Sequence, residues 1–135
     1  MRRFLPILLA LLLVVSGAGS VFAATPPDVA GTFYQTAVDD LMEKGVVNGY
    51  PDGTYRPAAT ITRAEACTIV VRSMMPTAAD LGATTPAAFS DLGGYAWAAP
   101  YIYYAYNHGV ISGYPDGTFR PGALVTYDEM AAMLV

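Results

Sequence analysis

The stretch GVVNGYPDGTYRP at residues 45–57 recurs as GVISGYPDGTFRP at residues 109–121, a constant 64 positions further along the chain. The same register continues without a gap from ITRAE at residues 61–65 to VTYDE at residues 125–129. Chance does not account for an in-register match of this length. The sequence therefore predicts two copies of one structural unit, each of which buries its apolar face against a neighbour.

Each copy predicts two helices joined by a loop. Residues 32–44 carry apolar side chains at helical spacing and are followed by a capping glycine, and residues 100–108 repeat this arrangement. The Tyr-Pro-Asp-Gly segments at residues 50–53 and 114–117 are typical of type I turns. We therefore expect an all-α fold of tandem helix-loop-helix repeats.

The second helix of each copy opens with a capping box, formed by Thr62 with Glu65 and by Thr126 with Glu129. In this motif the threonine hydroxyl accepts a backbone N–H while the glutamate reaches back to the threonine N–H. Helix initiation alone accounts for both glutamates, so they do not indicate a glycosidase pair. The sequence predicts no catalytic residue and hence a protein that is not an enzyme.

The first 23 residues have the three parts of a secretory signal peptide. Arg2 and Arg3 form a positive start, residues 4–15 are apolar, and small or branched residues precede the expected cleavage after Ala23. A retained membrane anchor is the less favoured alternative, because the apolar run is shorter than the ~20 residues that span a bilayer. We therefore expect a secreted chain without a membrane contact after cleavage.

The predicted organisation is a signal peptide at residues 1–23, a first repeat at 24–75, a linker at 76–86 and a second repeat at 87–135. The linker is rich in Ala and Thr and has Pro at both ends. The second repeat stops four residues short of the position that matches Met75. It is therefore either a repeat with a trimmed end or a fragment.

Charge and cysteine content exclude several classes of function. The whole chain has a net charge of −4, and without the signal peptide five basic residues face eleven acidic ones. Such a surface argues against nucleic acid or anionic lipid as a partner. The single cysteine, Cys67, is expected to be buried, and Asp52 and Asp116 each stand alone rather than in a calcium loop. No metal or cofactor is therefore expected.

The repeated stretches resemble the S-layer homology (SLH) motif. The match includes FSDL at residues 89–92, Trp97 with Ala98, both Gly-Tyr-Pro-Asp-Gly loops and ITRAEA at residues 61–66. The resemblance implies helix-loop-helix units, usually three, arranged as a pseudo-threefold spindle. It also implies noncovalent anchoring at the cell wall or S-layer, through grooves that bind a cell-wall polysaccharide, often an anionic pyruvylated polymer.

The resemblance also implies which residues contact the ligand. In the family these are the arginine of the ITRAE segment, an aspartate of the opening segment and aromatic residues of the groove. The predicted ligand-binding residues, including two loop glycines and one aromatic residue of the second repeat, are Arg63, Asp28, Asp91, Trp97, Gly49, Gly113 and Tyr127.

Arg63 is also an unusual residue on physical grounds. A cation in the first turn of a helix is unfavourable unless an anion is bound there, because the helix N-terminus is itself positive. The second repeat has Tyr127 and Asp128 where the first has Arg63 and Ala64. The sequence therefore predicts one good half-site and one degenerate half-site for an anionic ligand.

Two further points stay open in the sequence. Trp97 fits core packing and ligand stacking equally well. Two repeats cannot close a threefold arrangement, so their apolar faces need a third repeat from another chain or a homo-oligomer. The alternatives to a polysaccharide-binding anchor are therefore a structural or protein-interaction module and the anchor fragment of a larger surface enzyme.

Overall fold

The computed structural model describes residues 24–86 and 89–134, with the backbone alone at residue 127. The predicted signal peptide lies outside the described residues. The prediction of an all-α fold is confirmed, and the described residues contain no β-strand. The helices are α1 (Gln35–Glu43), α2 (Arg63–Ser73), α3 (Ala78–Gly82), α4 (Ala99–Asn107) and α5 (Tyr127–Leu134).

The two repeats have the same local structure. Helices α1 and α4 open the repeats, α2 and α5 close them, and the short α3 lies in the predicted linker. In the first Tyr-Pro-Asp-Gly loop, the N–H of Gly53 donates to the carbonyl of Tyr50 at 2.9 Å. The N–H of Gly117 donates to Tyr114 at 3.0 Å in the second. The predicted turns are therefore present in both copies.

Both predicted capping boxes are also confirmed. The Glu65 carboxylate accepts the N–H of Thr62 at 2.7 Å, and the Thr62 hydroxyl accepts the N–H of Glu65. Glu129 and Thr126 make the same two bonds at the start of α5. Each cap satisfies N–H groups that a helix start would leave without partners.

The main core lies between the repeats, because α4 of the second repeat packs against α2 of the first. Ile102 of α4 and Phe119 of the second loop have no exposed surface. Burying one side chain of this size stabilises a fold by ~1.5–3 kcal/mol. The other members of this core are Ala64, Ala66, Cys67, Val70, Val71, Leu92, Ala98, Ala105, Ile111 and Met133.

The backbone also connects the two repeats. The N–H groups of Arg63 and Ala64 donate to the carbonyls of Ala123 and Pro121 at 2.8 and 3.0 Å. Thr62 forms an isolated antiparallel bridge with Leu124. Two N–H groups in the first turn of α2 thus find their hydrogen-bond acceptors in the second repeat.

Helix α1 has a different environment from its counterpart α4. Its Cα atoms do not come within 8 Å of another described helix, and its buried residue is Val38. Phe33, just before α1, is 98% exposed. None of the helices in the described part of the chain is long and apolar enough to cross a membrane.

Candidate ligand-binding groove

A groove of about 390 Å³ lies on the first repeat and is bounded by Trp97 of the second. We call it the Trp97 groove. Its walls are the 46–50 loop, the return of the chain at 55–61 and one face of α2. The polar and aromatic residues that line it are Asn48, Gly49, Tyr50, Tyr55, Arg56, Glu65, Thr68, Arg72 and Trp97.

Trp97 reaches this groove because α4 packs on α2. Trp97 lies two residues before α4, and its neighbour Ala98 is completely buried in the inter-repeat core. Trp97 itself stays 53% exposed. The structure thus places a half-exposed indole on an open cavity, where it packs against protein and still presents surface to a ligand.

The two predicted loop glycines differ in their surroundings. Gly49 lines the Trp97 groove with φ of +67°, and a Cβ there would lie 3.0 Å from the Thr54 carbonyl oxygen. Gly113 has φ of +72°, and a Cβ there would collide with the ring of Phe89. Phe89 therefore covers the second loop at the position that is open in the first.

Arg63 lies in the contact between the repeats, with only 6% of its surface exposed. Its Nε donates to the Phe119 carbonyl at 3.0 Å, and its Nη1 donates to Glu129 Oε1 at 2.9 Å. The guanidinium also lies 4.9 Å from the ring centre of Tyr114. Arg63 is therefore not a solvated surface residue, and an internal carboxylate supplies the anion that its position requires.

Glu129 consequently has a second role that the capping box did not reveal. Its Oε2 caps α5, while its Oε1 accepts bonds from Arg63 and from the Tyr114 hydroxyl, each at 2.9 Å. The Thr126 N–H, the Tyr114 hydroxyl and the Arg63 charge together hold the pKa of Glu129 below its ordinary value. This carboxylate is fixed in its charged form between the repeats.

Asp28 and Asp91 hold corresponding loops in the two repeats. The Asp28 carboxylate accepts the N–H groups of Tyr55 and Arg56 at 3.0 and 2.7 Å. These two bonds lower the pKa of Asp28. Asp91 accepts the corresponding N–H groups 64 positions further along, at 2.9 and 2.7 Å. Both aspartates thus shape the loops, and neither lines the Trp97 groove.

The described structure brings Gly49 and Trp97 together in one groove and places Arg63 in the adjoining repeat contact. The side chain of Tyr127 lies outside what the structure describes, and Asp128 is exposed. The difference between a good and a degenerate half-site stays a prediction. So does the direct contact of all seven predicted ligand-binding residues with a ligand.

Arg72 is a groove residue that the sequence interpretation did not identify. In the orientation of the Asn48 amide that satisfies both of its polar atoms, the side-chain oxygen accepts from Arg72 Nη1 at 3.1 Å. The Arg72 guanidinium lies 5.2 Å from the ring centre of Tyr101. The sequence does distinguish Arg72 from three other basic residues. Lys44, Arg56 and Arg120 each follow an aspartate by four residues, whereas Arg72 has no such partner.

Cys67 lies in the core rather than in a site, as predicted. It is 1% exposed, and burial raises the pKa of its thiol to about 12. Among the residues at 24–86 and 89–134, no cluster of three or more His, Cys, Asp or Glu side chains is arranged to hold a metal ion.

The comparison with known families agrees with this architecture. The profile of the S-layer homology domain matches residues 27–67 and 88–131. The chain therefore belongs to the S-layer homology domain family, with two copies of the motif. The resemblance seen in the sequence is confirmed.

Several known proteins are similar to this chain over most of its length. The chain is 37% identical over 111 residues to "Cell surface glycoprotein 1" of Acetivibrio thermocellus, which covers 82% of this chain and 4% of the relative. It is 35% identical over 99 residues to a "Cellulosome-anchoring protein" of the same organism, covering 73% and 22%. It is 32% identical over 143 residues to the "Middle cell wall protein" of Brevibacillus brevis, covering 100% and 13%. The match thus spans a small part of each relative.

Proposed function

We propose that this chain is a noncatalytic anchoring module that holds an exported protein at the cell surface by binding a cell-wall polysaccharide. The observation that carries the proposal is the half-exposed Trp97 on an open groove of the first repeat. The names of the relatives support a location at the cell surface or cell wall. We place this protein there as well, outside the cell, attached to the wall or S-layer.

The lining of the Trp97 groove suits a sugar ligand. A sugar ring presents an apolar face that packs on an indole, and hydroxyl groups that need hydrogen-bond partners. Glu65, Thr68 and Asn48 supply polar atoms along the walls. The groove is formed by both repeats, so binding depends on the pair being held together. Arg63 supports binding through that contact.

Co-sedimentation with purified wall sacculi tests the proposal. The exported protein is mixed with intact sacculi and with sacculi from which the secondary polysaccharide has been removed. Trp97→Ala is compared with Phe33→Ala, because Phe33 is the aromatic residue at the corresponding position of the first repeat and is 98% exposed. We expect Trp97→Ala to weaken binding roughly tenfold, the effect of losing one stacked anchor residue. Phe33→Ala should bind as the wild type does.

Two outcomes would contradict the proposal. Binding that persists after the polysaccharide is removed excludes it as the ligand. Equal effects of Trp97→Ala and Phe33→Ala would show that the Trp97 groove is not the binding site.

The proposed difference between the half-sites has its own test. Arg63→Ala should weaken binding to the sacculi more than Tyr127→Ala, because only the first repeat has a basic residue at this position. Thermal unfolding of both variants separates loss of binding from loss of the repeat contact. Equal binding by two folded variants would refute the asymmetry.

Exposed apolar residues favour a second candidate, a module that completes its bundle with another repeat. Phe33 and Leu134 correspond to Trp97 and Val70 of the contact between the repeats. Yet Phe33 is 98% and Leu134 64% exposed, whereas Val70 is 5% exposed. A third repeat or a second copy would cover them. Light scattering at several protein concentrations tests whether a second copy binds, and a monomer at every concentration excludes it.

Because the chain matches a small part of each relative, the anchor of a larger surface enzyme is also compatible with these exposed residues.

A further inference from the structure

A second cavity, of about 470 Å³, adjoins the Trp97 groove. Asn48 and Arg72 line both spaces, so Arg72 stands on the boundary between them. We call this cavity the Lys44 pocket. Its other walls include the end of α1, the turn after α2 and the linker helix α3, through Lys44, Met75 and Leu81.

The charge of the Lys44 pocket is opposite to that of the protein. The part of the chain after the predicted signal peptide has five basic and eleven acidic residues, and two of the five basic residues line this one pocket. None of the described residues that line it is acidic. By contrast, Glu65 lines the Trp97 groove. The lining of the Lys44 pocket is therefore basic on an acidic protein, while Asp40 pairs with Lys44 from outside that lining.

Arg72 has no internal carboxylate partner among the described residues, unlike the other four basic residues there. Its Nε donates to the neutral Tyr101 hydroxyl at 3.5 Å, and its Nη1 donates to the Asn48 oxygen when that amide is oriented to satisfy both of its polar atoms. Asn48 and Tyr101 orient the guanidinium without neutralising it. A partly buried guanidinium with spare N–H donors is a strong partner for a carboxylate or phosphate.

Lys44 is also available to an anion. It pairs with Asp40 at 2.7 Å, but both side chains are about half exposed. Such a pair within one turn of a helix contributes little to stability and is readily shared with a third charged group. Lys44 and Arg72 can therefore act on the same anionic substituent from two walls of the pocket.

We propose that the Lys44 pocket is an anion subsite, which binds a carboxylate or phosphate substituent of the polysaccharide whose sugar ring lies on Trp97. This inference rests on the proposed function. It assigns the recognition of acidic substituents to Arg72 and Lys44 and leaves Arg63 in the contact between the repeats.

The test compares binding of three preparations of the wall polysaccharide to the exported protein. One is untreated, one has its carboxylates reduced to alcohols, and one has its phosphates removed with cold hydrofluoric acid. We expect one of the two treatments to weaken binding roughly tenfold, the effect of losing a charge-assisted hydrogen bond, and thereby to identify the anion. Lys44→Gln and Arg72→Gln should bind the untreated polymer as weakly as the wild type binds the treated one.

Arg120→Gln is the matched control, because it removes an exposed arginine that pairs with Asp116 and does not line the Lys44 pocket. It should retain the full preference for the untreated polymer. Lys44→Gln changes a half-exposed side chain, so it tests the subsite even if Arg72→Gln fails to fold.

The two proposals fail in different ways. If the wild type binds all three preparations equally and Trp97→Ala weakens binding to each, the anion subsite is wrong and the proposed function stands. The subsite is also overturned if Lys44→Gln keeps the wild-type preference. If the wild type binds none of the preparations, both proposals are wrong.

Discussion

Arg63 at the start of α2 donates to the same Glu129 carboxylate that caps α5, 66 positions further along the chain. One carboxylate thus begins a helix in the second repeat and neutralises a buried cation of the first. The groove bounded by Trp97 exists only when the two repeats are in contact. The stability of this contact is therefore the first property to test.

Arg63→Ala should destabilise the fold by ~3 kcal/mol, because it leaves the Glu129 carboxylate without its buried partner. The free energy of unfolding in urea measures this effect. Arg120→Ala is the control, since Arg120 and Asp116 form an exposed pair in which both side chains are about half exposed. That variant should lose less than ~1 kcal/mol. Similar losses in the two variants would contradict the role of Arg63.

Acid should weaken the fold through carboxylates that are held in their charged form. The folded-state pKa values of Glu129 and Asp28 are lowered from 4.5 and 3.8. Their stabilisation is complete above those unfolded values and disappears as the pH falls through the lower folded values. The midpoint temperature of thermal unfolding should therefore decrease when the pH is lowered below about 4.5. Glu129→Gln should flatten this dependence, and a dependence as steep as that of the wild type would contradict the role of Glu129.

The loop glycines allow a test of steric crowding with matched backbones. Gly113 and Gly117 have similar positive φ angles of 72° and 78°, but a Cβ meets Phe89 at the first and nothing within 4 Å at the second. Gly117→Ala should lower the free energy of unfolding by ~1 kcal/mol, because alanine is strained at a positive φ angle. Gly113→Ala should cost a further ~1–3 kcal/mol from overpacking. Equal losses in urea unfolding would show that Phe89 moves aside freely.

Cys67 should be unreactive in the folded protein. Burial raises the pKa of its thiol to about 12, so little thiolate forms at neutral pH. We expect iodoacetamide to modify Cys67 only after unfolding in urea, as followed by mass spectrometry. Alkylation of the folded protein at the rate of a free thiol would contradict this burial.

The sequence predicts the local structure well because its signals act over a few residues. The turn that closes between Tyr50 and Gly53, and the cap formed by Thr62 with Glu65, each depend on neighbours within one helical turn. The burial of Cys67 follows from its side chain alone. The turn and the cap repeat in the second copy because their residues repeat, whereas the position that corresponds to Cys67 is the exposed Ala131.

The contacts between the repeats could not be predicted in the same way. The partner of Arg63 lies 66 positions away, and nothing local distinguishes Glu129 from an ordinary cap. Phe33 and Trp97 occupy corresponding positions, yet among the described residues Trp97 lines a groove of the other repeat whereas Phe33 is 98% exposed. The place of Arg72 in the groove was not predicted, because the lack of an aspartate four residues earlier does not show where its side chain lies.

Because the Trp97 groove is formed by two repeats, it determines which boundaries are suitable when this chain is fused to another protein. An exchange made within the 76–86 segment would separate the indole from the surface that it completes, although it follows the boundary of the sequence repeat. A fusion partner should receive residues 24–135 as one piece, since this span carries both family matches, the groove between them and the whole of α5 with its core residue Met133. The smallest transferable unit is then a pair of motifs, and libraries of hybrid anchors should vary pairs rather than single motifs.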